Sequence, residues 1–249
     1  MSRSTHLFRL VVAGLFLLLP RINLAQEQWQ AGPDIAFLFK RFHSNDAGGF
    51  FKPHFYTATP IGGLHLSHRL SHYDAWVETG ILYTSLDASV AEANQPGYSS
   101  YGIGSGLWVI PTLLRKDIIL QLPGTYARPK TTVRLSFSAG VQHQFLANSV
   151  GWRTSSGSSG NGSGLSYTDH TVALHMYNPA LFVESSVRLL LVRRRLDALF
   201  RINASLGLRQ LIRTDIRYTT SATATPQPAT VTYSGNGTGW GIGLRYLIH

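Results

Sequence analysis

The stretch TTVRLSFSAGVQHQF, residues 131–145, decides how the chain is read. Its alternate residues fall into two sets. Val133, Leu135, Phe137, Ala139, Val141, His143 and Phe145 form one; Arg134, Ser136, Ser138, Gly140, Gln142 and Gln144 form the other. Side chains on a strand alternate with period two, so this is one strand with an apolar and a polar face. An ordinary strand runs about 5–6 residues, whereas a tilted strand needs about 9–11 to cross a bilayer. This one is long enough to cross.

The design recurs along the chain, and no segment carries a capped apolar stripe of helical period. The first candidate strand, Pro33 to Phe42, sets Ile35, Phe37 and Phe39 against Asp34, Ala36, Leu38 and Lys40. The second, Pro60 to Leu70, sets Leu64, Leu66, His68 and Leu70 against Gly63, His65, Ser67 and Arg69. The third, Tyr73 to Leu86, sets Ala75, Val77, Ile81 and Tyr83 against Trp76, Glu78, Gly80 and Leu82. In the fourth, Tyr101 to Arg115, Leu107, Val109, Pro111 and Leu113 read as the apolar face, opposite Gly106, Trp108 and Ile110. The opening stretch is the fifth. The sixth, Ala180 to Val192, sets Leu181, Val183, Val187 and Leu189 against Phe182, Glu184, Ser186 and Arg188. The seventh, Leu196 to Ile212, sets Phe200, Ile202, Leu206 and Leu208 against Arg201, Asn203, Gly207 and Arg209. The eighth, Thr238 to Ile248, sets Trp240, Ile242, Leu244 and Tyr246 against Gly239, Gly241, Gly243 and Arg245.

Polar stretches at 43–59, 87–100, 148–178 and 213–237 alternate with tight turns at Ser71-His72 and Arg193–Arg195. Only 116–130 is long where a turn is expected, and its IILQLP reads as a strand continuation or a small plug. Long loops at one end and short turns at the other is the layout of an outer-membrane barrel. The expected fold is therefore all-β: an eight-stranded antiparallel up-and-down transmembrane β-barrel with a polar interior. A soluble sandwich fits the alternation but not the strand length or the loop asymmetry.

In such a barrel the polar face is the lumen. Charges there need partners, and the arginine fork meets a carboxylate with two bonds. The expected interior network is Asp34, Glu78, Arg134, Glu184, Arg188, Arg201, Arg209 and Arg245. Eight strands leave an interior that side chains can fill, so no open pore is expected.

Residues 1–25 have the layout of a secretory signal. Arg3 and Arg9 precede the apolar run LVVAGLFLLL, Pro20 breaks it, and Ala25 stands before Gln26. The expected division is a signal peptide over 1–25 and a barrel domain over 26–249. Removing Arg3, Arg9 and Arg21 leaves 19 Lys+Arg against 12 Asp+Glu, a net charge of +7. The arginines are scattered through strands and the chain is exported, so nucleic acid is not an expected partner. There is no cysteine, hence no disulfide or thiolate metal site.

The early Gly32-Pro33 strand, the signal ending Ala25-Gln26 and the segment LWVIPTLLRK, residues 107–116, resemble the small outer-membrane β-barrel domain proteins of the Bacteroidota, the group that includes the PorT-like proteins, with barrels of OmpX or OmpA type. The resemblance covers roughly 30–249. It implies residence in the outer membrane. PorT-like members are linked to a secretion system. The chain departs from the usual aromatic last residue, ending in His249 with Tyr246 three back.

No catalytic, cofactor or metal site is expected. His65 and His68 face opposite ways on one strand, and His68 and His72 lie about 13 Å apart at 3.3 Å per residue. That is far beyond the about 2 Å reach of a zinc ligand. His43-Ser44-Asn45 invites comparison with lipid hydrolases, but neighbouring residues show no base within reach of a serine. The Gly-rich 157–164 loop lacks the Lys-Ser/Thr ending of a phosphate loop. The expected role is non-enzymatic: a structural or surface-interaction protein acting through long extracellular loops. The alternatives are an accessory subunit of a secretion or uptake complex, an outer-membrane lipid-modifying enzyme, and a narrow channel. The expected partners are outer-membrane lipid and lipopolysaccharide, the barrel-insertion machinery, and a surface or secretion-complex protein.

Overall fold

A computed structural model of the chain describes residues 28–70, 73–90, 99–122, 131–147, 153–158, 165–191 and 196–248. The signal segment and the turns at Ser71-His72 and Arg193–Arg195 lie outside these residues. The described chain is nearly all strand: β1 (Trp29–Asp46), β2 (His54–Leu70), β3 (Ala75–Val90), β4 (Ser99–Leu122), β5 (Thr131–Leu146), β6 (Arg153–Ser158), β7 (Ser166–Ala173), β8 (Tyr177–Leu190), β9 (Leu196–Gly207), β10 (Ile212–Thr220) and β11 (Thr223–Ile248).

Eight of these strands close on themselves. The order runs β1-β2-β3-β4-β5-β8-β9-β11, every pair is antiparallel, and β11 pairs back to β1. The register gives the stagger. Stepping round from Leu70 through Ala75, Lys116, Phe137, Ser185, Ile202, Trp240 and Phe37 returns to β2 at Pro60, a displacement of ten residues. A stagger of this size tilts the strands by about 35–45° from the barrel axis.

The outer wall is apolar on every strand of the barrel. Ile35, Leu64, Ile81, Leu114, Phe137, Val183, Ile202 and Ile242 all stand exposed, Leu64 by 65 %. Soluble monomers rarely expose apolar patches beyond a few hundred Å²; here the apolar surface runs round the whole barrel. Toward the loop end, Tyr83, Trp108, Phe145 and Tyr177 lie in register across β3, β4, β5 and β8. At the turn end Trp29 lies against His68, ring centroids 4.4 Å apart. Such aromatics mark the two edges of a lipid belt.

Two expectations change, and the choice left open at 116–130 falls to the strand. The face of β4 is reversed: Leu107, Val109 and Leu113 are buried inside with Arg115, while Leu114 and Ile118 face out. Both faces of this strand are apolar, so alternation of hydrophobicity carries no direction. Residues 118–122 continue β4 and pair with Thr131–Leu135 of β5; they are strand, not plug. The long polar connections also hold strands. β10 pairs with the first half of β11, β7 with β10 and β6 with β7. They build a sheet beyond the barrel wall, above Phe42 of β1.

Candidate functional site: the filled lumen

Inward residues from all eight barrel strands meet in two linked ion clusters. The first is centred on Glu78, which is 2 % exposed. Its carboxylate accepts from Arg115 Nη1, from Arg188 Nη2 at 3.1 Å, and from the hydroxyls of Ser67 and Ser138 at 3.2 Å. Arg115 also lies 4.5 Å from the centroid of Trp76 and 2.9 Å from Asp117 Oδ1. The Gln30 oxygen accepts from Arg115 and Arg188 at 3.1 and 3.3 Å, and its amide donates to Asp197 at 3.3 Å. Arg134, half-buried, is 4.0 Å from Asp197.

The second cluster sits four residues further along β1, on Asp34. Arg245 donates to both its oxygens, at 3.0 and 2.7 Å. His65 Nε2 lies 2.9 Å and Arg201 Nη1 3.3 Å from Asp34 Oδ2. Arg201 also donates to Glu184 at 3.1 Å. Gly243 makes room for this: a Cβ there would fall on the Asp34 carboxylate. Single carboxylates are thus shared by several guanidinium groups, the arrangement that lets buried charge persist.

The clusters together hold five arginines (Arg115, Arg134, Arg188, Arg201, Arg245) and five carboxylates (Asp34, Glu78, Asp117, Glu184, Asp197). They balance in charge, and Arg115, Arg188, Arg201 and Arg245 are all buried in the lumen. A cavity of about 20 Å³ lies beside them, lined by Ala36, Ile61, Leu82, His65, Gln142 and Arg201. That is room for about one water.

Of the residues read from sequence as the interior network, Asp34, Glu78, Arg134, Glu184, Arg188, Arg201 and Arg245 come together here. Arg209 does not. β9 ends at Gly207, and Arg209 is exposed beyond it, its backbone N–H donating to Asn178 Oδ1 at 2.8 Å. The strand stops because β11 changes partner there, which alternation cannot reveal. Gln30, His65, Arg115, Asp117 and Asp197 were missed as members. Arg115 and Asp117 share a face of β4, so reading that strand by charge would have found both.

The interior is not polar throughout. Toward the loops it becomes apolar: Phe42, Leu86, Leu107, Leu146, Leu165, Leu211, Ile212, Ile216, Val231 and Tyr233 pack into one core. Lys40, fully buried, marks the change, donating to Thr84 at 3.3 Å and to the Ser85 carbonyl. The His43-Ser44 pair is separated by alternation, His43 exposed and Ser44 buried inside. No group of three or more His, Asp, Glu or Cys among the described residues could hold a metal ion.

The closed wall, apolar outside and ion-paired inside, has the architecture of a transmembrane β-barrel with a filled lumen. No protein-family model and no curated protein matches the chain. Among solved structures it is similar to the outer membrane protein OprG from Pseudomonas aeruginosa, at 11% identity over 89% of this chain and 96% of that one, TM-score 0.44. It is similar also to a major outer membrane protein from Thermus thermophilus, at 12% identity over 89% and 99%, TM-score 0.41.

Proposed function

We propose that this chain is an outer-membrane barrel that spans the bilayer with a plugged lumen and works, without catalysis, as a structural or surface-interaction protein through the sheet and loops beyond its lipid belt. The observation that carries this reading is the charge-balanced ion network, buried and reaching in from all eight strands. A wall built to be wetted by lipid supports residence in a membrane, and a β-barrel is one of the two backbones that satisfy all their hydrogen bonds there. The filled lumen argues against a channel, because moving an ion through it means breaking buried pairs worth several kcal/mol. What is left to interact is the extension above the belt. The same reading takes residues 1–25 as the export signal, the insertion machinery as the first partner, lipid and lipopolysaccharide as the surroundings, and PorT-like Bacteroidota proteins as kin.

Two measurements on the refolded chain test it. In detergent, a β spectrum with heat-dependent mobility on SDS gels is expected; a protein that stays soluble and β-rich without detergent sinks the membrane reading. In planar bilayers no steady ohmic steps are expected, and reproducible single-channel steps would remove the plugged lumen.

A further inference from the structure

Outside the barrel wall, beyond the lipid belt, two histidines face each other across β1 and β2. His43 and His54 are direct partners in the ladder, and both are exposed. Their Nδ1 atoms are 3.3 Å apart. Their ring centroids are 4.9 Å apart, with 36° between planes. The nitrogens are thus nearer than the ring centres, so the Nδ1 edges of the two rings face each other.

Zinc binds imidazole nitrogen at about 2.0–2.1 Å in tetrahedral geometry, which places two ligand nitrogens about 3.3–3.4 Å apart. Two cis nitrogens of a square-planar ion at the same bond length would be about 2.9 Å apart. The geometry points to a two-histidine site for a tetrahedral divalent metal ion, zinc first, with its two remaining positions open to water. Without metal, one ring donates its Nδ1 proton to the other. With metal, both rings carry their proton on Nε2, and both Nδ1 lone pairs go to the ion.

The scaffold holds this arrangement ready. β1 is paired on both sides at this point, His43 standing opposite Thr232 as well as His54. The backbone is therefore fixed before the ion arrives, which cuts the ordering cost of binding. Arg41, two residues along the same face, repels a cation and limits the affinity. The other described histidines are engaged elsewhere. His65 meets Asp34, His68 stacks on Trp29, His143 contacts the Tyr177 hydroxyl and His175 the Gln210 carbonyl, and His170, on β7, has a contact of its own. The bound ion would clamp the first hairpin above the membrane and leave two positions for an outside donor. This inference stands whether or not the lumen conducts.

The test is calorimetric titration of zinc chloride into the untagged full chain refolded in detergent. One equivalent is expected, with binding at least tenfold weaker in both His43→Ala and His54→Ala and unchanged in His175→Ala. Cobalt(II) in place of zinc should give the intense visible bands of a tetrahedral site, lost in either variant. Heat-dependent mobility verifies that the variants are folded. Absence of binding, binding indifferent to both substitutions, or only weak octahedral cobalt bands would overturn the site.

Discussion

Arg115 is the most informative single residue of the lumen. It is fully buried and touches Glu78, Asp117, Gln30 and Trp76, so it joins β1 and β3 to its own strand. Replacing it with an apolar residue leaves Asp117 without this ion pair and Glu78 with one arginine fewer. Removing one partner of a buried pair costs about 3–5 kcal/mol. Arg115→Met is therefore expected to lower unfolding stability by that amount in urea titrations, and Arg209→Ala, at an exposed site, to stay within about 0.5 kcal/mol. Equal losses in the two variants would mean the network does not carry the stability assigned to it. At the turn end the chemistry is wet instead. Asp74, in the β2–β3 turn with φ of 46°, faces Lys116 at 3.0 Å and Arg69 at 3.2 Å. Lys116 first, then Arg69, holds its carboxyl below the usual carboxylate range. A depressed folded value means a contribution present above the unfolded value and lost as pH falls through the folded one. Carbon-detected NMR should show Asp74 titrating low, and Lys116→Met should raise it toward the ordinary value.

At the scale of elements, β11 is the strand that organises the molecule. Its second half pairs with β9 and its first half with β10, while β1 runs along nearly all of it. The exchange of partners falls at Ser234–Asn236. Gly235 takes φ of 78° there, and neighbouring side chains take up the freed carbonyls of Ser234 and Gly235. Asn178 donates to the Ser234 carbonyl and to Gln144, each at 3.0 Å, and Gly207 N–H donates to Asn236 at 2.8 Å. A side chain at 235 would carry the left-handed penalty of about 1–2 kcal/mol and would fall on Gln144 and Asn178. Gly235→Ala is expected to loosen the extension selectively, read as faster protease cleavage within 165–173 and 211–233 while heat-dependent mobility persists. Cleavage at the wild-type rate would mean that this junction does not hold the extension to the barrel. The same junction explains what the sequence could and could not yield. Where one face contrasts with the other, as on β5, β8 and the second half of β11, alternation gave both the strand and its orientation. On β4 the contrast vanishes, and only Arg115 and Asp117 carry the direction. β6 is written in Ser, Gly and Thr, which read equally as loop. β10, IRTDIRYTT, does alternate, but it is short and lies within a polar stretch between two longer strands.

For the whole molecule, the meaning of alternation changes at the membrane boundary. Along β1, Phe37 points out and Asp34 in; a few residues later Arg41 and His43 point out and Phe42 in. Within the belt the outside is hydrocarbon, so apolar residues face out. Above it the outside is water, so the ordinary rule returns and apolar residues go in. The register slips between Lys40 and Phe42 where this happens. β10 follows the second rule, with Ile212, Ile216 and Tyr218 buried and Arg213 and Arg217 exposed. A reading that applied one rule to the entire chain could find the polar network and miss the apolar core stacked above it. Two interiors of opposite character make two units of stability. The upper unit depends on hydrophobic burial and the lower on ion pairs and on the lipid around it. Ile212, 1 % exposed, sits in the upper core. Truncating it to alanine costs about 2–5 kcal/mol, and the loss should stay local. In the refolded barrel, Ile212→Ala is expected to speed amide hydrogen exchange in β7 and β10 by more than tenfold and to leave β5 and β8 as they were. If exchange instead rises evenly through β5 and β8, the two interiors unfold together and the boundary at Lys40 does not divide the molecule.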